Sequence, residues 1–381
     1  MSERPTVVFG PFVGEFGWEF KFWQGWVRRM CRGPYAEHRR IVASFPGRRV
    51  FYGDADDFWP HPKEIAADRI SSLGYITDYW RGGWPRPNRR YEKRSFFGRR
   101  RWVKETIESA TPVPDVEPQL LALLAEYRAA LPPDTTWLLP WRMNELPGGL
   151  TFGAGYPDAP KQDEDFVQYS IPFHEQQLEP LVPTSAGRRA LADIGGDSGP
   201  LVAIFPRRRR LRRPDKNWNQ DRWDGLLTAL RARVPHLRIA ILGEPGGSFY
   251  EESVPTGCLD LINVAPDVRL DAQIAVLQRA HVAVGPVSGA LLIAQASGAP
   301  TVQWDYPGRL HVARAVNFFD TPMVNLENID PSVDDVVAAM ERVMRAPDAR
   351  PPVVRPDAAS LLERTRAVAG DFRFKGLSPS A

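Results

Sequence analysis

The sequence predicts an α/β protein built as two doubly wound lobes facing a cleft. Three observations predict it. Apolar strands alternate with helical segments over 201–304, a strand–loop–helix–strand order opens the chain, and a turn-rich stretch at 183–200 stands between them. The length agrees: 381 residues, at roughly 100–200 per domain, make two domains that can each bury a core. A hydrophobic fraction of 43% and a charged fraction of 25% exclude a disordered, collagen-like or disulfide-stapled chain. The expected division is an N-terminal lobe over 1–185 with a basic insertion at 81–104, a C-terminal lobe over 196–350, and a C-terminal helix and tail over 351–381.

In the N-terminal lobe the first strand is TVVFGP, Thr6–Pro11, which runs into the loop FVGEFGWEF. A helix is expected over Glu19–Met30, with Phe20, Trp23 and Val27 on one face. RIVASFP from Arg40 reads as the second strand. RRVFYGDADDFWP follows as a further strand and an acidic turn whose Asp54, Asp56 and Asp57 form a solvated corner. The tract 81–104 carries ten Lys or Arg against one acid, interleaved with Trp84, Tyr91, Phe96, Phe97 and Trp102. Helices are expected at about 100–111 and 116–131, and WLLPWR, Trp137–Arg142, as a buried strand.

The C-terminal lobe reads as a βα repeat. LVAIFP (201–206) leads through a basic loop to a helix at 220–233 that Asn219 would cap. LRIAILG (237–243) leads to a Gly-rich turn and a short helix, and LDLINVA (259–265) to a helix at 271–279. HVAVGP (281–286) leads to a helix at 288–297, APTVQW (299–304) follows, and a tail helix is expected at 358–373. This is a Rossmann-like pattern, in which ligands sit outside the carboxyl ends of the strands.

Two segments at those ends carry the chemistry. In HVAVGPVSGALLIAQASGAPTVQW a strand ends at Gly285-Pro286 and a helix begins at Ser288. Ser288 can cap it, and its unpaired N–H groups and positive dipole end make an anion site suited to a diphosphate. Gly289, without a Cβ, lets a phosphate approach. In FPRRRRLRRPDKNWNQ a strand end delivers six arginines and Lys216 to the same edge. Arg and Lys bonds to a diphosphate stabilise it as a leaving group.

Together these segments resemble the donor-binding half of the heptosyltransferase-like glycosyltransferases with the GT-B fold, over about 200–305. The resemblance implies that Lys216, Ser288, Gly289 and Ala290 hold the diphosphate of a nucleotide sugar. Arg207, Arg208, Glu244 and Asp305 are expected as further donor contacts. Val287 stands where the family usually has Asp, and Leu291 and Leu292 where a His often follows, so the donor need not be ADP-heptose. The family's carboxylate base sits in a Gly-rich turn after the first strand, and Glu15 matches that place. A carboxylate there can take the proton of an acceptor hydroxyl. Glu19, the rival base, reads as a first-turn residue complementing the helix dipole. Trp304, Asp305 and Tyr306 are expected to line the sugar or acceptor pocket.

The N-terminal lobe is expected to bind the acceptor through Gly14, Gly17, Trp18, Arg89, Arg90 and Arg94. Basic residues beside aromatics suit an anionic acceptor, either a phosphorylated glycan or glycolipid or DNA with a hydroxymethylated base. The expected function is therefore metal-independent, inverting sugar transfer. The nucleotide sugar is a cosubstrate, and no resident cofactor is expected. No HExxH, CxxC pair or P-loop occurs in the sequence. Cys31 and Cys258 stand far apart, and MSERPTVVFGP has no basic stretch before an apolar core, so a cytoplasmic location is expected. The alternatives are a nucleotide-sugar epimerase of the same fold and a non-catalytic nucleic-acid or glycan-binding protein.

Overall fold

The computed structural model describes residues 4–12, 16–62, 88–96, 99–107, 117–138, 171–194, 199–208, 214–234, 236–345, 352–369 and 371. Glu15, Gly14, Trp84 and Phe97 lie outside the described residues.

The N-terminal sheet has four parallel strands: β1 (Thr6–Phe9), β2 (Arg39–Ser44), β3 (Asp57–Pro60) and β6 (Thr136–Leu138), in the order β3-β2-β1-β6. Its strand order reverses between β1 and β6, so the loop after β1 leaves from the switch point. The helix expected over Glu19–Met30 is a composite. It comprises a short helical turn at Phe16–Trp18, a π-helical turn at Glu19–Trp23 and an α-helix at Gln24–Arg32. π-Turns inside helices recur at functional sites. The expected strand at 48–52 is instead a 3₁₀ turn, Arg48–Phe51, and the acidic corner is tied down: Asp54 pairs with Arg32, Asp56 with Arg40 and Asp57 with Arg39.

Over its described part, 100–107, the helix expected at 100–111 is strand. β4 (Asn88–Phe96) and β5 (Arg99–Ile107) make an antiparallel ribbon. Tyr91, Phe96, Trp102, Val103, Thr106 and Ile107 are aromatic or β-branched residues that favour strand, and cross-strand pairing of the two segments prevails over helix propensity. Register sets Lys93 opposite Trp102 and Tyr91 opposite Lys104, with β4 running beside the turn Pro214–Lys216 of the other lobe.

The C-terminal sheet is parallel, with the order β12-β11-β10-β7-β8-β9. Its strands are β7 (Leu201–Ile204), β8 (Arg238–Ile241), β9 (Cys258–Asp260), β10 (Val282–Pro286), β11 (Thr301–Trp304) and β12 (Met323–Leu326). This is a doubly wound order, and its switch point lies between β7 and β10. Strand alternation divides the core between the two faces. Leu201, Ala203 and Phe205 share a cluster with the helices Pro266–Leu277 and Gly289–Ala296. Val202, Ile204, Val302 and Trp304 face the helices Gln220–Arg233 and Val333–Arg345. Asn219 caps the first of these as expected, accepting from the Arg222 N–H at 3.1 Å. The last helix, Ala358–Ala367, returns to the N-terminal side, where Thr365 Oγ1 accepts from the Phe173 N–H at 3.1 Å. The strand expected at 259–265 is shorter, the helix expected at 271–279 begins at Pro266, and the Gly-rich turn after β8 carries no helix.

Candidate functional site at the seam between the lobes

The two switch points face each other. Where the helix Gly289–Ala296 leaves β10, a Cβ built on Gly289 would lie 2.8 Å from Gly17 Cα, and one on Gly17 would lie 3.1 Å from Gly289 Cα. Only glycines allow two backbones this close. A second contact lies at Gly47 (φ +79), where a Cβ would stand 2.4 Å from the Pro266 carbonyl oxygen. Gly17 and Gly289, assigned from sequence to acceptor and donor respectively, are thus the point of meeting.

Ser288 takes the cap position of that helix with an extended backbone, φ −155 and ψ 169, but its hydroxyl makes no capping bond. The expected cap is corrected in that respect. Ala290 is half-buried and packs on the main core cluster, so only its backbone can serve a ligand.

Lys216 and Asp305 are brought together. Both are buried, and Nζ stands 2.5 Å from Asp305 Oδ1. Tyr306 closes the group, its ring centre 5.2 Å from Nζ and its hydroxyl bonded to Asp215. A stack of tryptophans sets this geometry. Trp218, two residues after Lys216, lies 4.6 Å from Trp304, one residue before Asp305, and 5.0 Å from Trp223. Trp304 is fully buried and lines no pocket, contrary to expectation. β11 is buried on both faces from Thr301 to Trp304, as an inner strand of a parallel sheet is, and Trp304 is buried with it. Sequence reasoning missed Trp218, whose signal was its place between a basic loop and a helix cap.

Arg207 bonds Asn217, and Arg208 pairs with Glu251 at 3.5 Å while its N–H donates to the Gly247 carbonyl at 2.8 Å. Arg207 closes the loop after β7 on itself, and Arg208 ties that loop to the turn after β8. Trp18 stacks on Phe22, ring centres 5.1 Å apart, with the Lys21 ammonium 4.3 Å from its ring. Arg89, Arg90 and Arg94 lie on β4 of the ribbon.

Glu19 departs from its expected role. It is fully buried; Tyr52 Oη donates to its Oε1 at 2.7 Å and Ser44 Oγ at 2.5 Å. Burial raises its pKa, and the Arg48 charge and the two hydroxyl donors offset this in part. Arg48 reaches across the seam, its Nη2 donating to Glu244 Oε1 at 2.9 Å.

His61, which sequence reasoning left aside, is buried where β3 ends. Its Nε2 bonds the Phe12 carbonyl at 2.8 Å, at the last described residue before Glu15. Burial pushes its pKa down to about 4, so the ring is neutral at pH 7 and Nε2 is the protonated, donating nitrogen. The unfolded chain protonates near 6.5, so this residue's share of stability is whole above that pH and is lost as pH falls through about 4. The difference corresponds to about 3 kcal/mol. Urea unfolding between pH 7 and pH 4 should show the loss, and His61→Gln should flatten it; an unchanged slope in that variant would refute the assignment.

Among the described residues no group of three His, Cys, Asp or Glu side chains is placed to hold a metal ion, and no helix is long and apolar enough to cross a membrane.

Residues 166–303 match the sequence model of Glycosyltransferase family 9 (heptosyltransferase). No curated protein matches the chain. Among solved structures, E. coli ADP-heptose LPS heptosyltransferase II is similar at 14% identity and TM-score 0.44, covering 88% of this chain and 98% of that one. A glycosyl transferase family 9 protein from Veillonella parvula DSM 2008 is similar at 11% identity and TM-score 0.46, covering 97% of each chain. E. coli heptosyltransferase WaaC with ADP gives 11% identity and TM-score 0.42, with 88% and 99% covered.

Proposed function

We propose that the chain is a heptosyltransferase-like glycosyltransferase of GT-B architecture that moves a sugar from a nucleotide-diphosphate sugar to a hydroxyl of an anionic acceptor, with inversion and without a metal. The observation that carries this reading is the meeting of the two switch points at Gly17 and Gly289. It sets the start of a helix, an anion site by its dipole and amides, against the loop that follows the first strand.

In this reading the diphosphate rests on the Ser288–Ala290 helix start, with Lys216 beside it. The acceptor hydroxyl oxygen attacks the anomeric carbon opposite the diphosphate. Its proton passes to the Glu15 carboxylate, the new C–O bond forms as the old one breaks, and the electron pair leaves on the diphosphate. Helix amides and the ammonium stabilise that charge as it develops. The carboxylate and the helix start come from different lobes, so the reaction requires the seam to be closed.

The acceptor reading rests on the ribbon. Its basic residues lie on an element of the N-terminal lobe that runs beside the Lys216 turn. A phosphorylated glycan or glycolipid and a hydroxymethylated DNA base both supply a nucleophilic hydroxyl next to phosphate.

Incubation with a panel of nucleotide sugars, read by mass spectrometry, tests the function. Release of a nucleoside diphosphate, accelerated by one acceptor class, is the expected result. An isomerised donor would replace the transferase by an epimerase. Salt-dependent acceptor binding with no turnover on any donor would leave a binding protein.

A further inference from the structure

Three charged side chains cross the seam in line, and only the last of them, Glu244, is among the donor contacts expected from the sequence. Glu19 lies on the π-helical turn of the N-terminal lobe, Arg48 on the 3₁₀ turn after β2, and Glu244 on the turn after β8. Arg48 is 3% exposed, one residue beyond the Gly47 contact with Pro266. Its guanidinium lies 3.9 Å from the centre of the Phe16 ring, which fixes its plane. On one side Nη2 donates to Glu244 Oε1 at 2.9 Å; on the other Nε stands 3.6 Å from Glu19 Oε2. Glu244 is the exposed end of the line, its side chain 32% accessible, while Glu19 has no exposed surface. Among the described residues, Glu19 Oε2 and Arg48 Nε have no hydrogen-bond partner.

A buried guanidinium must be paired, and removing one partner of a buried pair leaves the other costly. Arg48 meets this condition with one carboxylate from each lobe. Its bond to Glu244 is made now. The contact to Glu19 is an ion pair beyond hydrogen-bond length, held ready by the two hydroxyl donors on the opposite oxygen of Glu19. Arg48 is therefore the group through which the N-terminal lobe fixes where a C-terminal-lobe carboxylate sits.

We infer that Arg48 is a positioning residue for donor binding: it holds the Glu244 carboxylate at the cleft, with Glu19 as its buried counter-ion, and so makes the donor site depend on closure of the seam. This rests on the donor reading of Glu244 given above. It adds that a residue of the opposite lobe, touching no part of the donor, sets donor affinity.

A double-mutant cycle tests it. Binding of ADP, GDP and UDP is measured by titration calorimetry for the wild-type protein, Arg48→Met, Glu244→Gln and the double variant, with thermal melting to confirm folding. Each single variant should weaken the preferred nucleotide about tenfold, and the double variant should be little weaker than either, because both remove one arrangement. Arg48→Lys keeps the charge but not the fork of donors, and should recover part of the affinity. In turnover, Arg48→Met should raise the donor KM more than it lowers kcat. Should Arg48→Met fail to fold, Arg48→Lys and Glu244→Gln complete an equivalent cycle. Unchanged affinity in the Arg48 variants, or losses that multiply independently, would overturn this inference alone. Failure of the wild-type protein to bind any of the three nucleotides would overturn the donor reading and this inference with it.

Discussion

Glu15→Gln should lower sugar transfer by about 10²–10⁴-fold while changing nucleoside diphosphate affinity by no more than about twofold, the range expected when a general base is removed. The carboxamide has the shape of the carboxylate but cannot take the acceptor proton. The diphosphate, held by the other lobe through the Ser288–Ala290 helix start and Lys216, does not depend on that proton. The loss should therefore fall on kcat, and the rise of rate with pH that a carboxylate base imposes should vanish in the variant. Glu19 is a poor substitute. It has no exposed surface, and one of its oxygens is filled by Ser44 and Tyr52. Steady-state kinetics beside calorimetry separate the cases: equal loss of transfer and of nucleotide binding would mean that Glu15 organises the loop rather than accepting a proton.

What the sequence made legible follows from where each signal resides. Fully buried parallel strands are short apolar runs, so β7, β10 and β11 stood out, and their carboxyl ends fixed which loops meet at the switch point. Asn219 was legible because a cap is local chemistry. Glu19 was not. An acid opening a helix has a sufficient local explanation in the dipole, and only the fold brings Ser44, Arg48 and Tyr52, 25 to 33 residues away, around it. Arg48 and Glu244 are separated by 196 residues, and nothing in either neighbourhood announces the pair. The second strand of the ribbon reads as helical in sequence because Arg, Lys and Glu, good helix formers, outnumber the β-branched Val103, Thr106 and Ile107 there. Trp304 was misplaced because its neighbour Asp305 drew it toward the site, although the apolar run APTVQW already marked a strand buried on both faces.

Gly289→Ala separates the contribution of the seam from that of the helix. Alanine has the better helix propensity by about 0.5–1 kcal/mol, so the helix Gly289–Ala296 by itself gains from the change. The new methyl carbon, however, would stand 2.8 Å from both Cα and N of Gly17 and 3.2 Å from the Phe16 ring. The first two neighbours are backbone and cannot rotate away. The lobes must part or the helix start must tilt, and either moves the donor's anomeric carbon relative to the acceptor by a distance on the order of 1 Å. A misplacement of that size costs about 10²-fold in rate. The expected outcome is a folded protein with a melting temperature close to that of the wild type, nucleoside diphosphate binding weakened only modestly, and kcat reduced about 10²-fold. Gly289→Val, with two further carbons at the same point, should lose more. Wild-type kcat in Gly289→Ala would show that catalysis does not require the lobes to meet at this glycine pair, and the closed seam would lose its place in the mechanism.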